Sequence, residues 1–221
     1  MRASFVLSCF ILGAGWSAAG AETITVAELA SSLPAAPINV VFDVDDTVLF
    51  TTPGFQWGAR TYGAQVVTAG SPVREQDLAN EEDRRKYREF WVKMNTELDQ
   101  FSVPKWVAGE VIALHKSRGD KIYFVTKRIQ TPAERLTELL KQTFQLSDMQ
   151  PVIFTSRQSK ADAFRRIKAA VSYGDSDGDI RDSIAAGARP VRILRAPNSA
   201  NHEPVHNGGF GEKVLAGSEY D

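Results

Sequence analysis

The stretch Val40-Val41-Phe42-Asp43-Val44-Asp45-Asp46-Thr47-Val48-Leu49-Phe50 constrains this chain more than any other. Ile38 to Phe42 is a nearly continuous apolar run rich in β-branched residues, the pattern of a strand buried on both faces of a parallel sheet. Asp43, Asp45 and Asp46 follow within four positions. Ligands of open parallel sheets bind just past the carboxyl ends of the strands, so this strand points its acids at a site. Anions this close repel one another, and they stay ionised at low cost only around a cation; hard oxygen ligands favour magnesium or a similar ion. A calcium loop of the EF-hand kind is excluded, because its sixth and twelfth positions counted from Asp43 hold Val48 and Gly54 rather than Gly and Glu.

Four further strands are expected downstream. Lys121 to Val125 ends in Thr126, where a hydroxyl and free backbone N–H groups suit a phosphate oxygen. Pro151 to Phe154 leads to Lys160, which opens an amphipathic helix through Phe164 and Ile167. Ala169 to Tyr173 delivers Gly174-Asp175-Ser176-Asp177-Gly178-Asp179-Ile180, a second acidic cluster at a second strand end, as a divalent site shared by adjacent strands requires. Pro190 to Leu194 is the fifth strand. Between them the spacing predicts a helix opened by Pro104 and stopped at Arg118-Gly119, with His115 favouring the dipole of its last turn. A second helix starts at Thr131-Pro132-Ala133-Glu134 and turns Leu136, Leu139 and Leu140 inward, and a third covers Asp182 to Arg189. The fold class is α/β with a parallel, Rossmann-like sheet.

The pattern Asp43-Val44-Asp45-Asp46-Thr47 after an apolar strand resembles the nucleophile motif of the haloacid dehalogenase superfamily of phosphohydrolases. The longer run Phe42 to Phe55 resembles the signature of the bacterial class B non-specific acid phosphatases. The likeness spans about Ile38 to Tyr220 and is weakest over residues 56 to 85. It implies a small helical cap, roughly residues 51 to 103, inserted in an α/β core of residues 38–50 and 104–221. It also implies Asp43 as nucleophile, Asp45 as general acid and base, and one Mg2+ per subunit, or another divalent ion, on Asp43, Asp45 (through its carbonyl) and Asp175. Asp179 becomes an outer or water-mediated partner of that ion, with Asp177 able to exchange roles with either aspartate. Thr126 and Lys160 become phosphate ligands, and Phe55 and Trp91 members of the substrate pocket. The family pattern Thr-Gly-Arg reads Thr126-Lys127-Arg128 here, which adds a cation near the mouth. The tail from Phe210 to Tyr220 resembles the segment that helps build the family's oligomer, so a homotetramer is implied.

The 221 residues suffice for one α/β domain with an insertion. Residues 1–21 read as a signal peptide: Arg2 in the basic region, Phe5 to Leu12 as the apolar region, and Ala19-Gly20-Ala21 as the cleavage site. The rest then begins at Glu22, with an arm over residues 22–37, a periplasmic location and no membrane segment. Cys9, the only cysteine, lies in the signal, leaving no disulfide. Arg2 is also the only charge there, so the mature chain is slightly more acidic than the whole, whose net charge is −1, and no basic excess supports dedicated nucleic-acid binding. Arg-His-Gly, Cys-x5-Arg and P-loop patterns are absent, and three histidines are too few for a histidine-rich dinuclear site. The expectation is a secreted acid phosphatase acting on small phosphomonoesters, nucleotides included, through an aspartyl-phosphate that could also pass to an alcohol. The alternatives are a narrower nucleotidase or phosphotransferase and a non-catalytic binding protein.

Overall fold

The computed structural model describes residues 21–69 and 73–220; the signal peptide lies almost wholly outside them. In chain order the strands are β1 (Thr23–Ile24), β2 (Asn39–Phe42), β3 (Leu49–Phe50), β4 (Val103–Pro104), β5 (Lys121–Thr126), β6 (Ile153–Phe154), β7 (Val171–Gly174), β8 (Arg189–Arg192) and β9 (Lys213–Leu215). The α-helices are α1 (Val26–Ser31), α2 (Thr52–Tyr62), α3 (Glu81–Thr96), α4 (Trp106–Ser117), α5 (Leu136–Phe144), α6 (Ala161–Ile167) and α7 (Asp177–Ala186).

Seven strands form one sheet in the order β1-β9-β8-β7-β2-β5-β6, every neighbouring pair parallel. From β2 the chain first builds outward through β5 and β6, then returns to the other side of β2 with β7 and β8. That reversal opens a crevice beyond the carboxyl ends of β2 and β7, where such sheets bind ligands. The apolar run of β2 is buried on both faces: Val40 and Phe42 pack with Val111, Ile112, Leu136 and Leu140, while Val41 packs with Ala163 and Phe164 of α6. Phe42 also stacks on Tyr173 of β7, with ring centroids 4.5 Å apart.

Between β3 and β4, which pair antiparallel, the chain runs out into α2, α3 and short 3₁₀ turns at Glu75–Asp77 and Leu98–Phe101. This insertion has an apolar cluster of its own around Phe55, Val67, Tyr87, Phe90, Trp91 and Met94. Gly58 lets α2 and α3 approach closely, since a Cβ there would sit 2.4 Å from Phe90.

Several elements depart from the pattern expected of the sequence. The carboxyl-terminal tail, expected only as an oligomer-building segment, also adds a strand to the core: β9 lies between β8 and β1, with Val214 and Leu215 buried. The arm likewise contributes β1 to the sheet edge. Both strands are only two or three residues long, too short for a period-2 pattern to register. Pro104 sits in β4, and the helix begins after Lys105, whose ammonium donates to the carbonyls of Asp46 (3.0 Å) and Leu194 (2.6 Å). The helix expected from Thr131 starts only at Leu136. Asn95 of α3 holds the preceding segment as a loop by donating to the Ile129 carbonyl and the Thr131 hydroxyl and accepting from the Arg135 N–H on its own carbonyl, and Ala133 has φ +57°. The helix expected from Asp182 starts five residues earlier, because Ser176 and Asp179 form a capping box.

Candidate active site

Asp43 continues β2 and is held there by donation from its N–H to the Tyr173 carbonyl at 2.9 Å. Asp175 follows β7, and Asp179 projects from the first turn of α7. The three buried carboxylates each offer an oxygen within 4.8 Å of the others. Hard, anionic and convergent oxygens are the donor set of a divalent cation such as magnesium. Asp46 stands beside them, its Oδ1 buried without a hydrogen-bond partner among the described residues and its Oδ2 accepting from the Ser199 hydroxyl at 2.7 Å. Asp46 adopts φ +58°, a conformation that aspartate tolerates better than most residues.

Lys160 caps α6 and reaches inward, buried. Its ammonium pairs with Asp43 Oδ1 and with Asp179 Oδ1, the latter at 2.7 Å. Burial opposes its charge, yet the two aspartates hold its pKa above the usual lysine range. Asp43 shows the opposite balance: burial, reinforced by Asp179, Asp175 and Asp45 against the pull of Lys160, pushes its carboxyl up to about 8. Asp175 rises to about 6, chiefly by burial opposed by Arg195, whose Nη2 lies 2.7 Å from Asp175 Oδ2. A bound cation would favour the ionised form of both, so the residues fit the ion.

Asp45 lies across the pocket in the grip of Arg128. Nη2 donates to Oδ1 at 2.8 Å and Nε to Oδ2 at 3.0 Å. Burial alone would raise Asp45, but the charge and hydrogen bonds of Arg128, aided by Thr51, hold it below the usual carboxylate range. The same guanidinium forks onto Asp99 of the insertion at 2.6 and 2.9 Å, joining β5, Asp45 and the inserted helices through one buried cation.

A cavity of about 200 Å³ opens onto Asp43, Asp45, Lys160, Asp175 and Asp179, with Phe55 and Trp91 in its wall. Phe55 and Trp91 at the same time belong to the apolar cluster of the insertion, so one face of each ring is packing and another lines the cavity. Thr126 is adjacent but does not line it: its hydroxyl is buried, 3.5 Å from Asp45 Oδ2, and accepts from the Arg128 N–H at 3.2 Å. Asp177 is turned away, paired with Arg192 at 2.9 Å and with His206 at 2.6 Å. His115 is a core residue, between Asp120 and Tyr173 at 2.7 Å each.

Arg128, Asp99, Asp46 and Arg195 were not anticipated from the sequence. Asp46 lay in the motif itself, and Arg128 in the family pattern; nothing local to Asp99 or Arg195 marks them.

The fold is of the haloacid dehalogenase type. A predicted phosphoglycolate phosphatase of Haemophilus somnus superposes with a TM-score of 0.60 over 85% of this chain and 96% of its own, at 13% identity. A putative β-phosphoglucomutase of Bacteroides vulgatus does so with a TM-score of 0.56 over 88% and 89%, at 14% identity. At such identities the likeness is one of fold. Sequence carries the assignment further: residues 12–203 match the model of HAD superfamily subfamily IIIB, acid phosphatase. The chain is 42% identical to the class B acid phosphatase of an Enterobacter species (strain 638) and 41% identical to that of Klebsiella pneumoniae, each over 89% of this chain and 80% of the relative. The chain belongs to subfamily IIIB of that superfamily, the class B acid phosphatases, and is an enzyme of that phosphatase class.

Proposed function

We propose that the protein is an exported, metal-dependent acid phosphatase that hydrolyses small phosphomonoesters, nucleotides among them, through a phosphoryl group carried on Asp43. The observation that carries this reading is the meeting of Asp43, Asp175 and Asp179 with the buried ammonium of Lys160 at the end of β2. Asp43, Asp175 and the Asp45 carbonyl would hold Mg2+ or a related ion, with Asp179 as its outer partner. The ion supplies positive charge between the incoming phosphate and the carboxylates that would repel it.

Asp43 attacks phosphorus in line and the ester oxygen departs, dividing the displacement into two easier steps. Asp45 exchanges the proton. Arg128 keeps it ionised in the resting site; an arriving phosphate dianion raises its proton affinity, so it takes up a proton from solvent, donates it to the leaving oxygen and later takes the proton of the attacking water. Lys160 neutralises the equatorial oxygens. Thr126 serves the same oxygens if its hydroxyl swings from Asp45, and otherwise sets the position of Asp45 and the Arg128 N–H. The insertion of residues 51–103 acts as a cap whose Phe55 and Trp91 contact the leaving group.

Export to the periplasm is supported by the signal-like residues 1–21 together with the fact that, among the described residues, no helix is long and apolar enough to cross a membrane. A homotetramer rests on family likeness and on exposed Phe101, Trp106 and Tyr220. Transfer of the phosphoryl group to an alcohol follows from the same intermediate.

The test is aryl phosphate hydrolysis by protein starting at Glu22, with Mg2+ and then with excess chelator. Phosphate release that chelator abolishes and Mg2+ restores supports the reading. Release indifferent to chelator refutes the metal, and no release from folded protein under any metal condition refutes the phosphatase.

A further inference from the structure

Three cations around the pocket are committed to carboxylates. Lys160 holds Asp43 and Asp179, Arg128 holds Asp45 and Asp99, and Arg195 holds Asp175. Arg74, Lys127 and Arg157 line the cavity without a carboxylate oxygen within 4.0 Å among the described residues; Arg74 is exposed, whereas Lys127 and Arg157 are half-buried. The backbones of Lys127 and Arg157 are tied together, the Arg157 N–H donating to the Lys127 carbonyl at 2.9 Å. The strained loop that carries Arg157, with φ +48° at Ser156 and +67° at Arg157, turns the guanidinium over the Trp91 ring, 5.0 Å from its centroid.

Two donors in this wall lack an acceptor among the described residues. Trp91 is 2% exposed, and its indole Nε1 has no hydrogen-bond partner there; Arg157 Nε is buried and equally unsatisfied. A buried donor left unpaired costs on the order of 1–3 kcal/mol, so such groups mark where a ligand acceptor is missing. Lys127 completes the group. Its ammonium lies against α7, 2.6 Å from where a Cβ on residue 178 would stand, so Gly178 makes the room it occupies. Glu203 is the nearby competitor; the charges of Lys127 and Arg157 reach it, but it forms no ion pair with either.

We propose that Lys127, Arg157 and the indole N–H of Trp91 form a second anion subsite beside the phosphoryl centre. It selects phosphomonoesters whose leaving group carries a further carboxylate or phosphate. The proposal rests on the phosphatase reading and adds to it the substrate class that this pocket favours.

The test is a selectivity ratio. kcat/KM is measured for two matched pairs: glycerol 3-phosphate against 3-phosphoglycerate, which adds a carboxylate, and adenosine 5′-monophosphate against adenosine 3′,5′-bisphosphate, which adds a phosphate. In Lys127→Gln and in Arg157→Gln the ratio favouring the substrate with the extra anion falls by about tenfold, the scale of one charge contact in a partly wet site. Trp91→Phe keeps the ring under Arg157 and removes the donor, so the ratio falls by about threefold. Lys141→Gln, the same charge change at a remote site, leaves it within twofold. Loss in one pair alone identifies which anion the subsite takes. Ratios unchanged in both pairs for Lys127→Gln and Arg157→Gln, or an equal fall in Lys141→Gln, overturn the subsite while leaving the phosphatase standing. No turnover of any of the four substrates by folded wild-type protein instead refutes the phosphatase reading.

Discussion

Arg128→Met tests how far one buried guanidinium holds the site and the inserted helices together. Arg128 is 1% exposed, and its fork engages the side chains of Asp45 and Asp99, which are 26% and 7% exposed. Removing one partner of a buried ion pair costs about 3–5 kcal/mol, mostly because the abandoned charge stays desolvated. Asp99 carries the larger share, since Asp45 can recover some hydration. For a domain of this size that loss lowers the melting temperature by roughly 6–20 °C. The deficit depends on pH. Burial already raises Asp99 against the attraction of Arg128, and without that attraction its folded-state pKa rises further. The folded variant then binds more protons than the unfolded chain, so its stability falls as pH rises through the folded pKa and recovers below the unfolded value of about 3.9. Urea unfolding of wild type and variant at pH 5 and pH 8 should show the larger deficit at pH 8. Adding Asp99→Asn should restore at least about 1 kcal/mol, the coupling of groups in direct contact. A deficit below about 1 kcal/mol at pH 8, or no recovery in the double variant, would refute the argument that Arg128 neutralises Asp99.

Three more outcomes are expected. Lys160→Met leaves Asp43 facing Asp179 and removes the ammonium that pairs with both, so kcat for an aryl phosphate should fall by at least about 10²-fold with the fold retained by circular dichroism. Gly58→Ala drives a methyl into Phe90 and Val67 and should cost about 1–3 kcal/mol in urea unfolding, with the sheet unaffected. His115 is buried, and desolvation outweighs Asp120 to lower its pKa; the unfolded chain therefore takes up a proton near pH 6.5 that the folded chain refuses, so stability declines as pH falls below about 6.5. Urea melts of His115→Gln should show a flatter decline between pH 7 and pH 5 than wild type.

Much of the site was legible because its acids sit at strand ends. The apolar run before Asp43 announced β2, and Asp175 and Asp179 follow β7 at the same edge of the sheet. What the sequence hid is the pairing that tertiary approach creates. Asp99 meets Arg128 across 29 positions, and no local pattern distinguishes a buried aspartate in the 3₁₀ turn after α3 from a solvated one. Thr126 was legible as a hydroxyl at a strand end, but its orientation toward Asp45 depends on how β5 and β2 sit side by side. The early start of α7 had a local cue, the spacing of Ser176 and Asp179, which the reading of Asp177 and Asp179 as parts of one acidic cluster obscured. Strands β1 and β9 carried too few residues to show alternation, and their place was fixed only by pairing with each other and with β8.

The central claim is that Asp43 carries the phosphoryl group. Rapid acid quench of the Mg2+-loaded enzyme with a ³²P-labelled phosphomonoester, followed by peptide mapping, tests it directly. Acid-stable, hydroxylamine-labile label is expected on the peptide that contains Asp43 and is absent from Asp43→Asn. Label on a different residue, or undiminished turnover by Asp43→Asn, would contradict it.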